Sequence, residues 1–595
     1  MRQYFSKVLY ILSGKRQHLI LLLAVFVFVS VLEAAGIGLI GPFLSIVGDP
    51  SIVRDHPFFG PLVNRFGLET DRAILISSAI LIICVFCFKS LAYFLGKFYT
   101  LKFSYRQKQE LEARLMDTYL NIPYAFHLNQ NSATLIKNLT FESGQFTVNC
   151  LIPLLDIVSN GIVMLLLLGL LAAADIYMVI TVLAILLPVF LIFTRLSRRI
   201  RSWGRRKSQA HGGMIRSVGH GLGSIKETRI LGCESYFEAD LRHHSKEYGQ
   251  AATLVESLQL VPRVSIETVL IIFLILFILL SNLVLGRSLE ELTSIMGIFA
   301  VSSLRMIPAA TRILNAVGRI RSMSYAIDML YRDLKTIEAY SANGPSAYLK
   351  QVGHRPRLPV KFDHEVVLDN LTFHYPNSNK PAIEGVSLKI RRGESIALVG
   401  KSGSGKTTLV DIILGLLEPS SGDICVDGVS VYQNLRSWQN LLGYIPQSIF
   451  LTDETVAQNI AFGIPLHEID PDRLNAVIKA AQLEELIEQL PQGIHTSVGE
   501  RGVRLSGGQR QRIGIARALY YGREILVLDE ATSALDTETE KLVSDAIDSL
   551  VGSKTLIIIA HRFSTIANCD RVYRLENGQI QQTGTYEEVI LTPSN

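Results

Sequence analysis

The sequence predicts a two-part fold: an α-helical membrane domain of six spans with long cytoplasmic helix extensions, then an α/β P-loop nucleotide-binding domain. Three observations carry this. Hydrophobic residues make up 49% of the 595-residue chain, and its mean hydropathy is +0.30, yet the bilayer-length apolar runs all precede residue 320. Gly400-Lys401-Ser402-Gly403-Ser404-Gly405-Lys406-Thr407 matches G-x-x-x-x-G-K-[ST]. Ile525-Leu526-Val527-Leu528-Asp529-Glu530 reads as an apolar strand ending in two carboxylates. A chain of this length exceeds a single core, so several domains are expected.

The first apolar run is too long for a signal peptide and is not followed by a small-residue cleavage site, so it reads as a retained membrane helix. Runs at 17–47, 72–99, 147–172, 174–196, 260–286 and 292–318 are each long enough to cross a bilayer, which takes about 20 residues. Arg2, Lys7, Lys15 and Arg16 precede the first run; Arg195, Arg198, Arg199, Arg201, Arg205, Arg206 and Lys207 follow the fourth. Both flanks read as cytoplasmic. Beside a membrane span, the second cluster reads as an anchor at the lipid surface rather than a nucleic-acid patch. Six spans return the chain to the cytoplasm, where an ATPase must sit. Cys84 and Cys87 form a C-x-x-C inside an apolar helix, which reads as packing, with no disulfide framework among the six cysteines. The connections 100–146 and 197–259 are long, polar and helical in pattern, like membrane helices continued into the cytoplasm. Residues 48–71 have two readings: a short helix in the outer interface, or an ordinary loop.

Ionisable residues inside a membrane are costly and are candidates for function. Glu33 falls in the first span, Lys89 in the second, Arg263 and Glu267 in the fifth and Arg305 in the sixth. The topology sets Lys89, Arg263 and Arg305 in the cytoplasmic half of the bilayer or near its middle, a cationic cavity suited to an anionic group. Other readings stand beside this one: Arg263 as an interfacial anchor, Lys89 snorkelling to the headgroups, and Glu33 and Glu267 neutralising the cations.

The membrane domain is assigned to 1–335, a linker to 336–364 and the nucleotide-binding domain to 365–595. Residues 366–374 alternate like a strand, 395–399 read as a buried strand and 408–416 as the helix after the Gly-rich loop. This strand–loop–helix context gives the P-loop its chemistry. Backbone N–H groups over 402–407, with Gly400, Ser402, Gly403, Gly405 and Thr408 shaping the cradle, face the phosphates of ATP. Lys406 bridges the β- and γ-phosphates, Thr407 and Asp529 hold Mg²⁺, and Glu530 polarises the attacking water.

Leu505-Ser506-Gly507-Gly508-Gln509 resembles the signature sequence of ABC-type ATPases, in the expected order after the P-loop and before the acidic strand end. The resemblance implies roles for further residues. Tyr375 stacks on adenine, Gln447 touches Mg²⁺ from the Q-loop, Thr496-Ser497-Val498-Gly499-Glu500 is the exporter-specific loop, Asp536 belongs to the D-loop, and His561 is the switch histidine at the γ-phosphate. The long hairpins resemble the exporter-type (type IV) transmembrane domain, which implies coupling helices near 123–130 and 222–231; the first would dock on its own nucleotide domain or its partner's. In this family Ser506, Gly507, Gly508 and Gln509 close over ATP held by a second subunit. One nucleotide domain with six spans is therefore half a transporter, expected as a homodimer, with a heterodimer as the second reading.

Across the chain, residues 30–46, Val261-Pro262-Arg263, the span-six run Leu304-Arg305-Met306-Ile307-Pro308-Ala309-Ala310-Thr311-Arg312-Ile313 and the 48–71 segment resemble PglK-type flippases. That family translocates lipid-linked oligosaccharides for bacterial protein N-glycosylation. The resemblance implies a bacterial cytoplasmic-membrane flippase for a polyprenyl-pyrophosphate glycan. The headgroup would pass through a cavity lined by Lys89, Arg263 and Arg305 while the tail stays in membrane lipid. Lys89 stands where that family can have Arg. The alternative is an exporter of another lipid, glycolipid, polysaccharide precursor or peptide. No nucleic-acid partner is expected.

Overall fold

The computed structural model describes residues 2–12, 16–39, 43, 46–47, 70–128, 130–174, 176–196, 198–283, 289–343, 360–375, 378, 380–529, 537–559 and 566–591; at 2–5, 16, 37, 170–171, 173–174, 176–178, 181–182, 185–186, 198, 270, 273–274, 276–283, 289–305, 337–343 and 537–539 it describes the backbone alone. The chain forms two compact units, Met1–Ile122 with Asn129–Ala342, and Pro123–Leu128 with Asn343–Asn595.

The first unit is helical. An N-terminal helix, Arg2–Ile11, buries Val8 and Ile11, and its Lys7 Nζ pairs with Asp328 at 2.6 Å. Each apolar run of the sequence falls on one of six further helices: Arg16–Gly38, Asp71–Asn121, Ile152–Ala174, Ile176–Leu196, Glu234–Leu283 and Leu289–Ser322. The first runs to Gly38; of the rest of the expected span, residues 43 and 46–47 are helical, and 40–42 and 44–45 lie outside the described residues. Among the described residues, three stretches are long and apolar enough to cross a membrane: Gln17–Gly36, Asp71–Asn121 and Ser132–Gly169. The remaining apolar runs lie partly outside the described residues, as does nearly all of 48–71; its last residues are Thr70, whose hydroxyl accepts from the Ala73 N–H, and Asp71, which opens the helix. Cys84 and Cys87 are exposed free thiols on that helix.

Asp71–Asn121 has 51 residues and Glu234–Leu283 has 50. At 1.5 Å per residue each is about 75 Å long, more than twice a hydrocarbon core. The polar halves are tied together by side chains: Tyr119 and Asn138 both donate to Asp333 Oδ2 at 3.0 Å. Buried Lys137 pairs with buried Glu142 at 3.0 Å, and Ser208 donates to the same carboxylate at 2.7 Å. Two π-helical segments, Asn138–Glu142 and Thr147–Leu151, interrupt the regular helix between Ser132 and Ala174. A short helix, Ile225–Ile230, lies within the expected 222–231 segment and is followed by Gly232.

The second unit is α/β. Its strands are β1 Glu365–Phe373, β2 Ile383–Arg391, β3 Ser395–Val399, β4 Ser421–Val426, β5 Val429–Ser430, β6 Leu442–Ile445, β7 Ile525–Asp529, β8 Thr555–Ile559, β9 Arg571–Glu576 and β10 Gln579–Gly584. One sheet runs β2-β1-β4-β5 and is antiparallel; the other runs β10-β9-β3-β8-β7-β6 and is parallel except at its β10 edge. Strands β3, β7 and β8 are buried along their whole length, which is why they read as unbroken apolar runs. Loops at the carboxyl ends of such strands are where α/β sheets bind ligands. The expected strand 366–374 and helix 408–416 appear as Glu365–Phe373 and Lys406–Ile413. The short helix Tyr124–Leu128 belongs to this unit, with Ala125 packed against its apolar core.

Candidate functional site

The nucleotide site grows from β3. After Val399 the chain turns through Gly400, at φ +155°, where a Cβ would come within 2.3 Å of the Leu575 carbonyl. At Gly405, φ +104°, a Cβ would meet the Ala382 carbonyl at 2.8 Å. Only glycine fits at both, and the loop leads straight into the Lys406–Ile413 helix, whose N-terminus favours an anion. Lys406 is buried; its ammonium donates to the carbonyls of Gly400 at 2.8 Å and Lys401 at 3.0 Å. Ser402, Gly403 and Thr407 are exposed along the loop mouth. Thr408 is buried and shares a 3.0 Å hydrogen bond with the Tyr375 hydroxyl, while Phe373 meets the Tyr375 ring edge-on at 5.0 Å. The expected adenine platform is thus joined to the P-loop helix.

Asp529 ends β7 with 9% exposure, and the Tyr444 hydroxyl donates to it at 3.3 Å. Asp411, on the P-loop helix, has its carboxyl pushed up to about 6, first by burial and then by the Asp529 charge. Burial, then the same charge, raises the Tyr444 phenol. Burial also raises the Tyr124 phenol, followed by Asp411 and Tyr375. Two converging carboxylates, one already strained toward protonation, suit a hard cation; Thr407, Asp529 and Gln447 are the residues that would hold Mg²⁺. Gln447 follows β6, is exposed, and its carbonyl accepts from Gln511 at 2.8 Å.

The signature begins the helix Gly507–Tyr520. Ser506 caps it: its hydroxyl accepts from Gln509 N–H at 3.2 Å, and the Gln509 side chain accepts from Ser506 N–H at 2.8 Å. This capping box holds an exposed helix N-terminus, whose partial positive charge favours an anion, in a fixed direction. The buried Val498 anchors the loop before it. Glu530, Asp536 and His561 lie outside the described residues.

The chain matches the family model "ABC transporter" over residues 383–533 and "ABC transporter transmembrane region" over 19–301. An ATP-dependent lipid A-core flippase of Thiobacillus denitrificans is 31% identical over 559 residues, covering 92% of this chain and 93% of that protein. The chain belongs to the ABC transporter family. This ABC transporter is therefore an integral membrane protein and an ATPase, with the transmembrane region preceding the nucleotide-binding domain. A second lipid A-core flippase, from Shewanella sp. strain MR-4, is 28% identical over 593 residues, 98% of this chain and 95% of its own. A bacterial Atm1-family ABC exporter with ATP bound superimposes with a TM-score of 0.74 over 97% of both chains at 21% identity, the same exporter fold.

Two of the three membrane-domain cations singled out by sequence have described side chains. Lys89 is 4% exposed, its ammonium 4.7 Å from the Phe86 ring centroid. Arg263 is exposed and paired with Glu267 at 3.0 Å on its own helix. The side chain of Arg305 lies outside the described residues. Sequence reasoning missed Asp411 and Tyr444 beside the metal position. No motif marks them: Tyr444 is brought beside Asp529 by the register of β6 and β7, Tyr444 opposite Val527, and Asp411 by its place on the Lys406–Ile413 helix.

Proposed function

We propose that this ABC transporter is a homodimeric flippase that uses ATP and Mg²⁺ to move an anionic glycolipid across the bacterial cytoplasmic membrane, with its nucleotide-binding domain in the cytoplasm. The observation that carries it is the 31% identity to a lipid A-core flippase along 559 residues, which runs through both domains and so is not owed to the ATPase half alone. The resemblance of 304–313 to oligosaccharide-lipid flippases supports a polyprenyl-pyrophosphate glycan as cargo; the names of the relatives support a lipid A-type glycolipid as the second reading. Both carry phosphate and sugar on a lipid tail.

In this reading the Lys406 ammonium leaves the Gly400 and Lys401 carbonyls for the β- and γ-phosphates. Tyr375 receives adenine. Thr407, Asp529 and Gln447 would hold Mg²⁺, which would supply positive charge against the phosphates. Glu530 orients the attacking water and His561 contacts the γ-phosphate. Ser506, Gly507, Gly508 and Gln509 present their helix N-terminus to the ATP of the partner subunit, so closure needs both chains. The coupling helices at 123–130 and 222–231 pass that closure to the spans.

The test is flipping by purified protein in liposomes, with a fluorescent polyprenyl-pyrophosphate oligosaccharide and a fluorescent lipid A as cargo. ATP-dependent movement of either, lost in Glu530→Gln while ATP-bound closure persists, is expected; which lipid moves decides between the two cargoes. Wild-type hydrolysis by Glu530→Gln, or movement of neither lipid by an active ATPase, would refute the reading.

A further inference from the structure

A cavity of about 370 Å³ lies among the helices Arg16–Gly38, Asp71–Asn121, Ile152–Ala174 and Leu289–Ser322. Three cations line it, and none is one the sequence singled out: Lys97, Arg312 and Arg319. Two carboxylates, Glu33 and Asp156, line it as well, so its formal charge is positive.

The partners of the cations differ. Lys97 Nζ lies 2.5 Å from Asp156 Oδ1 and is neutralised there. Arg312 donates to the Tyr93 hydroxyl at 3.1 Å, and Arg319 to the Gln259 amide oxygen at 3.2 Å. Among the described residues these two guanidiniums meet neutral acceptors, so their charge is held in place without being cancelled. They stand seven residues apart on one helical face, about 10 Å along the axis. Asn315, between them, also lines the cavity, and its buried Oδ1 has no hydrogen-bond partner among the described residues. A buried acceptor of this kind wants a donor such as a hydroxyl. The level matters too. Lys97 and Arg319 sit where their helices pass from apolar sequence to runs containing Lys102, Arg106 and Lys108, or Arg321, which is the depth of lipid headgroups.

We infer that Arg312 and Arg319, with Asn315 between them, form a subsite for the phosphate-bearing, hydroxylated headgroup of a lipid drawn from the adjoining leaflet, and that the Lys97–Asp156 pair sets its net charge. Guanidinium forks match phosphate oxygens bidentately, and the cavity lets a headgroup enter without leaving headgroup depth. The assignment rests on the anionic-glycolipid reading above, but it can fail separately.

The experiment measures binding of fluorescent lipid A bisphosphate, and of the same lipid after removal of its phosphates, to the full-length protein in nanodiscs. The wild-type protein is expected to prefer the phosphorylated lipid. Arg312→Gln with Arg319→Gln should cut that preference by about tenfold or more, the scale of hydrogen bonds to charged groups, and Arg312→Lys with Arg319→Lys should recover part of it. Asp156→Asn, which removes a carboxylate and frees Lys97, should tighten binding of the phosphorylated lipid several-fold, a change that misfolding cannot produce. Competition by millimolar inorganic pyrophosphate would assign the subsite to the anion itself, and lack of competition to phosphate borne on lipid. A preference absent from wild type, or unchanged in the double Gln variant, would overturn the assignment. Phosphate-selective binding without ATP-driven flipping would leave the subsite standing and sink the flippase reading instead.

Discussion

Asp411 carries a pH signature. Its carboxyl is ionised only above about 6 in the folded protein, against 3.8 for the free group, and burial is the main cause. An acid raised on folding is bound to its proton more in the folded than in the unfolded chain, so Asp411's own contribution to stability is greatest below pH 3.8 and is lost as pH rises through about 6. Asp411→Asn removes that loss. In nucleotide-free protein its thermal midpoint should exceed wild type at pH 8, by the equivalent of about 1 kcal/mol after allowing for a half-buried, solvent-screened site, and the gap should close near pH 4. An equal gap at both values would assign the effect to packing. Gly405 is a residue where the outcome is steric: Gly405→Ala places a methyl against the Ala382 carbonyl at a positive φ, so nucleotide binding, read by a fluorescent ATP analogue, should be lost while the apolar strands keep the domain folded. The Gly-rich loop was legible at this scale because its chemistry is contiguous in sequence. Asp411 was not, since what raises it is burial in the folded domain and then a fold neighbour, Asp529, more than a hundred residues away.

At the scale of elements, the signature helix joins stability to chemistry through one cap. Ser506→Ala removes a hydroxyl that accepts from Gln509 N–H and should cost about 1 kcal/mol. Ser506→Asp keeps an acceptor there, because Asp is as good a cap, yet it sets a carboxylate where the proposed site receives a γ-phosphate. Its thermal midpoint should therefore stay near wild type while ATP hydrolysis collapses; a variant that keeps its hydrolysis would show that phosphate never meets this helix end. Strands β3 and β7 are legible in the sequence within a residue or so, because burial on both faces leaves an unmistakable apolar run. The π-helical segments at Asn138–Glu142 and Thr147–Leu151 were not. There Thr140 Oγ1 donates to the Ile136 carbonyl at 2.8 Å, Ser143 Oγ to that of Leu139 at 2.5 Å and Thr147 Oγ1 to that of Ser143 at 3.2 Å. Hydroxyls one turn on compete with the backbone ladder and loosen it, an effect that apolar periodicity does not register. The basic stripe Arg312–Arg319 was visible in principle as a spacing of seven after Pro308, but charge deeper in the apolar runs drew the reading toward Lys89, Arg263 and Arg305.

At the scale of the whole molecule, the order of motifs made both domains legible, since a membrane-length hydropathy pattern and a P-loop strand–loop–helix each follow from local sequence. How two such chains would share one reaction is a matter of assembly, and it can be tested with two dead variants. Lys406→Ala removes the phosphate-bridging ammonium, and Ser506→Asp spoils the signature; each homodimer then carries the same defect at both sites and should not turn over. In a mixed dimer, if each signature serves the partner's P-loop, one site combines both defects and the other combines the intact Lys406 of one chain with the intact Ser506 of its partner. Co-expression should therefore restore ATP hydrolysis in the tandem-affinity-purified mixed species, and ATP trapping should report one occupied site per dimer. If the signature instead served its own chain, every site in the mixture would still carry one defect and activity would stay absent. Trapping at one site without turnover would mean that closure is shared as proposed and that hydrolysis needs both sites intact, a coupling between the two halves that no single chain's sequence can encode.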